Sequence, residues 1–124
     1  MNLLTMFRQW KDVAEYEPQA VIFAEGDTAD AMFVIVSGEV ELTLHGKSLG
    51  TEGEGGIIGE MAMLESATRN STATALSSVR LARLERAQFQ KLIGDSAEFA
   101  LRAMTTLANR LRAVDQFIVA RLEQ

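Results

Sequence analysis

Residues 55–74 read GGIIGEMAMLESATRNSTAT, and the fold assigned to the rest of the chain turns on how this stretch is read. Glycines at 55, 56 and 59 let the backbone turn tightly and approach a ligand with no Cβ in the way. Glu60 to Leu64 are good helix formers and predict one helical turn, whose first N–H groups lack intrahelical partners. Such donors, at the positive end of a helix dipole, suit a small anion. Arg69 follows on a loop, and its planar fork matches two oxygens of a phosphate. Glu60 is the discordant member, because a carboxylate beside a phosphate repels it. It fits if it accepts a hydrogen bond from a sugar hydroxyl while the helix N-terminus stabilises its charge. Taken singly, each residue has a plainer reading: Glu60 as a first-turn acid, Arg69 as a solvated loop cation, the glycines as hairpin turns.

Working outward, the run MFVIV at 32–36 is β-branched and aromatic, the mark of a buried strand. Ser37-Gly38 breaks it, and EVELTL at 39–44 alternates polar with apolar as a half-solvated strand does. His45-Gly46-Lys47 predicts the next turn, followed by a short strand at 48–51 and the turn-rich TEGEGG at 51–56. Beyond the glycine-rich segment, 71–76 and 79–85 alternate again around a Ser77-Ser78 turn. Short strands closed by turns at this spacing predict a mainly β chain, a jelly-roll β-barrel with flanking helices. The expected layout is a single domain over 1–124: an N-terminal helical segment over 1–19, a β-roll over 20–85 and C-terminal helices over 86–124.

The long C-terminal helix begins at Ser96, a good N-cap after the stop signal Gly94, with Glu98 in its first turn. Leu101, Met104, Ala108, Leu111, Asp115, Ile118 and Leu122 recur at steps of three and four. They form a heptad-like seam on a helix of about seven turns. That face either packs on the chain's own barrel or pairs, in its far half, with a second copy. A helix this long outruns a small barrel, which favours a homodimer. Asp115 interrupts the seam, as a specificity device or a ligand contact.

Composition removes several function classes. With 48% apolar and 23% charged residues in 124, the chain is neither disordered nor a membrane protein. No apolar run nears the roughly 18 residues of a membrane span, and no signal-peptide pattern opens the chain. The absence of cysteine removes disulfides and thiolate metal sites and suits a reducing cytoplasm. A net charge of −5 disfavours non-specific nucleic-acid binding, though a small anion needs only one local positive site. The one histidine, His45, sits in a predicted turn, so no metal or catalytic site is expected and the chain is not read as an enzyme. Arg83, Arg86, Arg102, Arg110 and Arg112 read as solvated charges, and the six methionines as core filler.

The segment 55–74 resembles the phosphate-binding cassette of cyclic nucleotide-binding domains of the catabolite activator and cAMP-dependent kinase regulatory type. Gly59-Glu60, Ala62 and Arg69 carry the match, with Glu60 and Arg69 at the spacing of the kinase-type cassette. IFAEGD at 22–27 resembles the family's early strand and turn, and FVIVSGEV at 33–40 its central signature. The resemblance covers roughly residues 7–122. It implies a cyclic nucleotide ligand, cAMP or cGMP, and no other cofactor. Glu60 would take the ribose 2′-hydroxyl and Arg69 the cyclic phosphate. Ile58, Gly59, Met61 and Ala62, with Asn70, Ser71 and Thr72, would line the cradle, largely through backbone N–H groups. The terminal helix would close over the base.

Ile58 stands where an aromatic is common, and Thr68 where a proline often precedes the arginine and stiffens the loop. Asn70 occupies a position that helps choose between bases, but an amide can both donate and accept. Asp115 falls near the base and leans the choice toward cGMP. Family members that act on DNA carry a helix-turn-helix after the terminal helix. None follows here, so no direct nucleic-acid contact is expected, and output would pass through an unknown downstream protein. The competing expectation is a degenerate member that binds no nucleotide and serves as a dimeric protein-interaction scaffold.

Overall fold

The computed structural model describes residues 3–63 and 68–122. The chain runs α1 (Leu3–Arg8), β1 (Val13–Tyr16), β2 (Val21–Phe23), β3 (Ala31–Ser37), β4 (Val40–Leu44), β5 (Lys47–Glu52) and β6 (Ile57–Ile58). A short 3₁₀ helix (Glu60–Met63), β7 (Thr72–Ala75), β8 (Val79–Glu85), α2 (Arg86–Asp95) and α3 (Ala97–Leu122) complete it. The strands form two antiparallel four-stranded sheets, ordered β1-β8-β3-β6 and β2-β7-β4-β5.

Strand β3 explains why its sequence shows no alternation: both of its faces are buried. Phe33 and Ile35 join Phe23, Val40, Leu42, Ala73 and Ala75 of the other sheet in one apolar cluster between the sheets. Met32, Val34 and Val36 face the other way, onto Leu3, Phe7, Phe89, Phe99 and Ala103 of the helices. The helices therefore cover one sheet, and the second sheet covers its other face. Each large side chain so buried contributes about 1.5–3 kcal/mol.

The N-terminal helical segment expected over 1–19 is corrected. Helix α1 ends at Arg8, and Val13 to Tyr16 pair antiparallel with β8 as an edge strand, Val13 opposite Ala82 and Tyr16 opposite Val79. Trp10 closes the bend between them, its Nε1 donating to the Arg83 carbonyl at 2.8 Å. Four residues are too few for a period to show in sequence, and the open edge of β8 decides their conformation.

The predicted cap of α3 is found: Ser96 Oγ accepts from the Phe99 N–H at 3.1 Å. Of the two expectations for the seam of that helix, packing on the chain's own barrel is not met. Among the described side chains of α3, Phe99, Ala103 and Thr106 are buried, whereas Leu101, Leu111 and Leu122 are 60%, 72% and 80% exposed. The seam therefore does not pack on the chain's own sheets. It faces outward along the helix.

Two of the turns that carry the chain from one sheet to the other, β3 to β4 and β7 to β8, press on each other. Gly38, between β3 and β4, has φ +94, and a Cβ there would run into the Ser78 carbonyl and the Val79 side chain. Gly38→Ala is expected to cost about 1–3 kcal/mol, combining backbone strain with that clash. A urea titration checks this: the midpoint should fall with the slope unchanged.

Candidate functional site

The bend after β6 sets the site. Gly59 has φ +76, which reverses the chain from β6 into the 3₁₀ helix and tucks Glu60 inward, 3% exposed. A Cβ at Gly59 would lie 2.6 Å from Arg69 Nη1 and 3.5 Å from Phe23 Cε2, so only glycine lets these side chains meet. The predicted helical turn is thus a 3₁₀ helix ending at Met63, and Leu64 lies outside the described residues.

Arg69 is brought in from the other side. Its N–H donates to the Asp27 carbonyl at 2.8 Å, and its own carbonyl accepts from the Gly26 N–H at 2.9 Å. Thr68 pairs with Thr28 in an isolated β-bridge. The loop is therefore held by backbone pairing where a proline is absent. The guanidinium is 8% exposed and donates from Nη2 to the Ala31 carbonyl at 2.7 Å and from Nη1 to the Gly59 carbonyl at 3.4 Å. Its Nε is buried without a hydrogen-bond partner. Burial pulls its pKa below the ordinary arginine value, opposed by the fields of Asp30 and Asp27. It stays cationic.

Glu60 meets α3 through Arg110, which was expected to be a solvated charge. Arg110 instead donates to Glu52 Oε1 at 2.9 Å and to the Ile57 carbonyl at 3.1 Å, with its Nε 3.6 Å from Glu60 Oε1. Burial raises the Glu60 pKa above the usual carboxylate value, and Arg110, followed by a backbone hydrogen bond, opposes the rise. Arg102 adds a second tie from α3, donating to the Gly55 carbonyl at 2.7 Å. Arg83 is likewise engaged, with Asp12, Asp30 and Glu85.

A cavity of about 230 Å³ lies between these groups. Gly59, Glu60, Met61, Arg69, Asn70, Ser71 and Arg110 line it, and Phe23, Leu42, Leu44, Leu49 and Val114 supply its apolar wall. Of the residues singled out from sequence, Gly59, Glu60, Met61, Arg69, Asn70 and Ser71 converge here. Ile58 is fully buried in the cluster between the sheets and does not line the cavity. Thr72 Oγ1 accepts from the Glu25 N–H at 3.1 Å, away from it. The side chain of Ala62 lies outside the described residues. Asp115, expected as a ligand contact, is exposed on α3 while Arg110 and Val114, one turn apart, face the cavity. That expectation is corrected, since adjacent helix positions point about 100° apart.

Sequence reading missed Arg110, Val114, Phe23, Leu44 and Leu49. An arginine on a long helix carries no mark of what it will reach. The alternation of β4 did mark Leu42 and Leu44 as inward, but not as a ligand wall. His45 is the exposed turn residue expected, with its Nδ1 3.3 Å from Glu25 Oε2. Among the described residues no cluster of three or more His, Cys, Asp or Glu could hold a metal. No helix among them is long and apolar enough to cross a membrane.

In form this is a β-sandwich with a small cavity roofed by a long helix, walled by apolar side chains and lined by one buried acid and one buried arginine. The model of the cyclic nucleotide-binding domain matches residues 13–96, and the chain belongs to that family. It is 36% identical over 80 residues to a cAMP-dependent protein kinase regulatory subunit of Yarrowia lipolytica, covering 63% of this chain and 21% of the relative. It is 29% identical over 96 residues to a CRP-like cAMP-activated global transcriptional regulator of Mycobacterium tuberculosis, covering 73% of this chain and 43% of that one. The crystal structure of the Thermus thermophilus catabolite activator protein superposes with a TM-score of 0.73 at 28% identity, covering 94% of this chain and 57% of that one. The chain thus spans less than half the length of these two sequence relatives.

The raised Glu60 pKa has a testable sign. The folded state holds the Glu60 proton more tightly than the unfolded chain does, which stabilises the fold fully below the unfolded value of about 4.5. That contribution is lost as pH rises through the folded pKa. Glu60→Gln removes the titration. The stability of the variant relative to wild type should therefore climb as pH rises from about 4.5 and level off above the folded pKa. Denaturant titrations of both proteins at stepped pH check this; a flat difference would place Glu60 in water.

Proposed function

We propose that the chain is a non-enzymatic regulatory module that binds cAMP or cGMP, a single jelly-roll domain working in the cytoplasm through a downstream protein. One observation carries this reading: Glu60 and Arg69, both withdrawn from water, line the same cavity at the two ends of one cassette. Buried ionisable groups contribute little to stability, so their presence together on one cavity favours a ligand that uses both. A ribose hydroxyl donating to Glu60 and a cyclic phosphate accepting from Arg69 use both at once. Backbone N–H groups at 59–62 and at Ser71 complete the phosphate cradle. The base then lies on the apolar wall of Leu44, Leu49 and Val114, with Asn70 as the amide nearest the arginine. With Asp115 turned away, nothing on that wall favours guanine, and the lean to cGMP is dropped.

Calorimetry and thermal shift with each nucleotide test the reading. Ligand at a hundred times its dissociation constant should stabilise the fold by about 2.7 kcal/mol. Affinities for cAMP and cGMP should lie within about tenfold, or about 1.4 kcal/mol, of each other. Arg69→Lys keeps the charge and loses the fork, and should weaken binding by about tenfold or more. No heat with either nucleotide at millimolar concentration would leave the scaffold reading in its place.

The outward seam of α3 supports a homodimer under either reading. Leu101, Met104, Leu111, Ile118 and Leu122 present one apolar stripe that the chain itself does not cover. Ile118→Glu should give a monomer in sedimentation, where wild type should sediment as a dimer.

A further inference from the structure

Arg69 is held in a way that leaves its charge free. Its Cζ lies 4.2 Å from the centre of the Phe23 ring and 5.8 Å from that of Phe33. The two rings are themselves stacked, 6.4 Å apart and 18° from parallel. Among the described residues no carboxylate lies within ion-pair distance of the guanidinium. The carbonyls of Ala31 and Gly59 fix its in-plane direction, and its Cζ lies over the face of the Phe23 ring. Nε is left buried with no partner.

The local backbone is shaped for this. Strands β2 and β7 shift register between Val21 and Phe23, and Phe23 sits at the end of the strand with its ring 7% exposed, lining the cavity. A ring here does what an acid cannot. An acid would orient the guanidinium while cancelling its charge; an aromatic face orients it through a quadrupole that leaves the charge for an anion. A leucine would fill the space but offer no such face.

We infer that Phe23 is the positioning residue of the site, setting the guanidinium plane of Arg69 so that its unpartnered edge meets the phosphate already oriented. This rests on the reading of Arg69 as the phosphate ligand. Because the fork is fixed beforehand, little conformational freedom remains to be lost on binding. The stack is desolvated, so its loss should weaken binding by about five- to thirty-fold.

The test has two arms on the full chain. In the first, ¹⁵N-labelled protein without ligand is examined by NMR. The Arg69 Nε–H resonance should be displaced by the ring current of Phe23, lose that displacement in Phe23→Leu, and keep it in Phe23→Tyr. In the second, cAMP and cGMP are titrated calorimetrically into the same three proteins. Phe23→Leu should bind about five- to thirty-fold more weakly, and Phe23→Tyr should bind as wild type does. Filling space alone would not distinguish Leu from Tyr in this direction. Should Phe23→Leu not fold, Phe23→Met replaces it. An undisplaced Arg69 resonance in wild type, or unchanged affinity in Phe23→Leu, overturns the inference. A displaced resonance with no heat from either nucleotide in wild type upholds the Phe23–Arg69 arrangement and sinks the nucleotide reading instead.

Discussion

A carboxyl group and a guanidinium withdrawn from water within one small cavity must each be compensated, and most of the site's architecture is that compensation. Glu60 has Arg110 and a backbone hydrogen bond. Arg69 has two carbonyls and an aromatic face. Gly59 stands between the two and makes both possible, since its positive φ turns Glu60 inward and its missing Cβ admits the arginine. The strands on either side can be seen as the frame that brings these compensating groups within reach. Strand β3 contributes the Ala31 carbonyl at one end, and the register shift of β2 contributes the Phe23 ring. The backbone of Arg69 is stitched to the turn at Gly26 and Asp27.

Helix α3 belongs to this compensation as much as to the hydrophobic core. Its first half is fixed by Phe99, which meets the rings of Phe7 and Phe89 at centroid distances of 6.2 and 5.9 Å. Its middle is fixed by two arginines that reach across to the β5–β6 segment, Arg102 to Gly55 and Arg110 to Ile57, Glu52 and Glu60. Apolar packing gives way to polar anchoring where the helix passes the cavity. Beyond Val114 the described large apolar side chains, Ile118, Val119 and Leu122, are exposed.

Much of this was legible in the sequence, for identifiable reasons. Strand β3 could be read because burial on both faces leaves an unbroken apolar run, and β4 because burial on one face leaves alternation. Ser96 could be read because a cap is a local matter. Glu60 and Arg69 could be read because the glycines at 55, 56 and 59 lead into the one segment that carries both. What was not legible depends on what lies across space. Val13 to Tyr16 is a strand because β8 has an open edge, and nothing in those four residues says so. The stripe Leu101–Leu122 has proper helical spacing, but spacing does not reveal which of two faces meets the sheets. The partners of Arg110 lie 50 or more positions earlier in the chain, so its sequence surroundings describe only a charged helix. Asp115 was placed by resemblance at a position one residue away from the side chain that faces the cavity.

The sharing of Arg110 has a thermodynamic corollary. One guanidinium belongs both to the floor of the cavity, through Glu60, and to the seating of α3, through Ile57 and Glu52. Whatever donates a hydrogen bond to Glu60 competes with Arg110 and changes the grip on the helix, and whatever shifts the helix changes the environment of Glu60. Coupling free energies of this kind are reciprocal. A molecule in the cavity and a protein on the far side of α3 would therefore report on each other by the same factor, without ever touching.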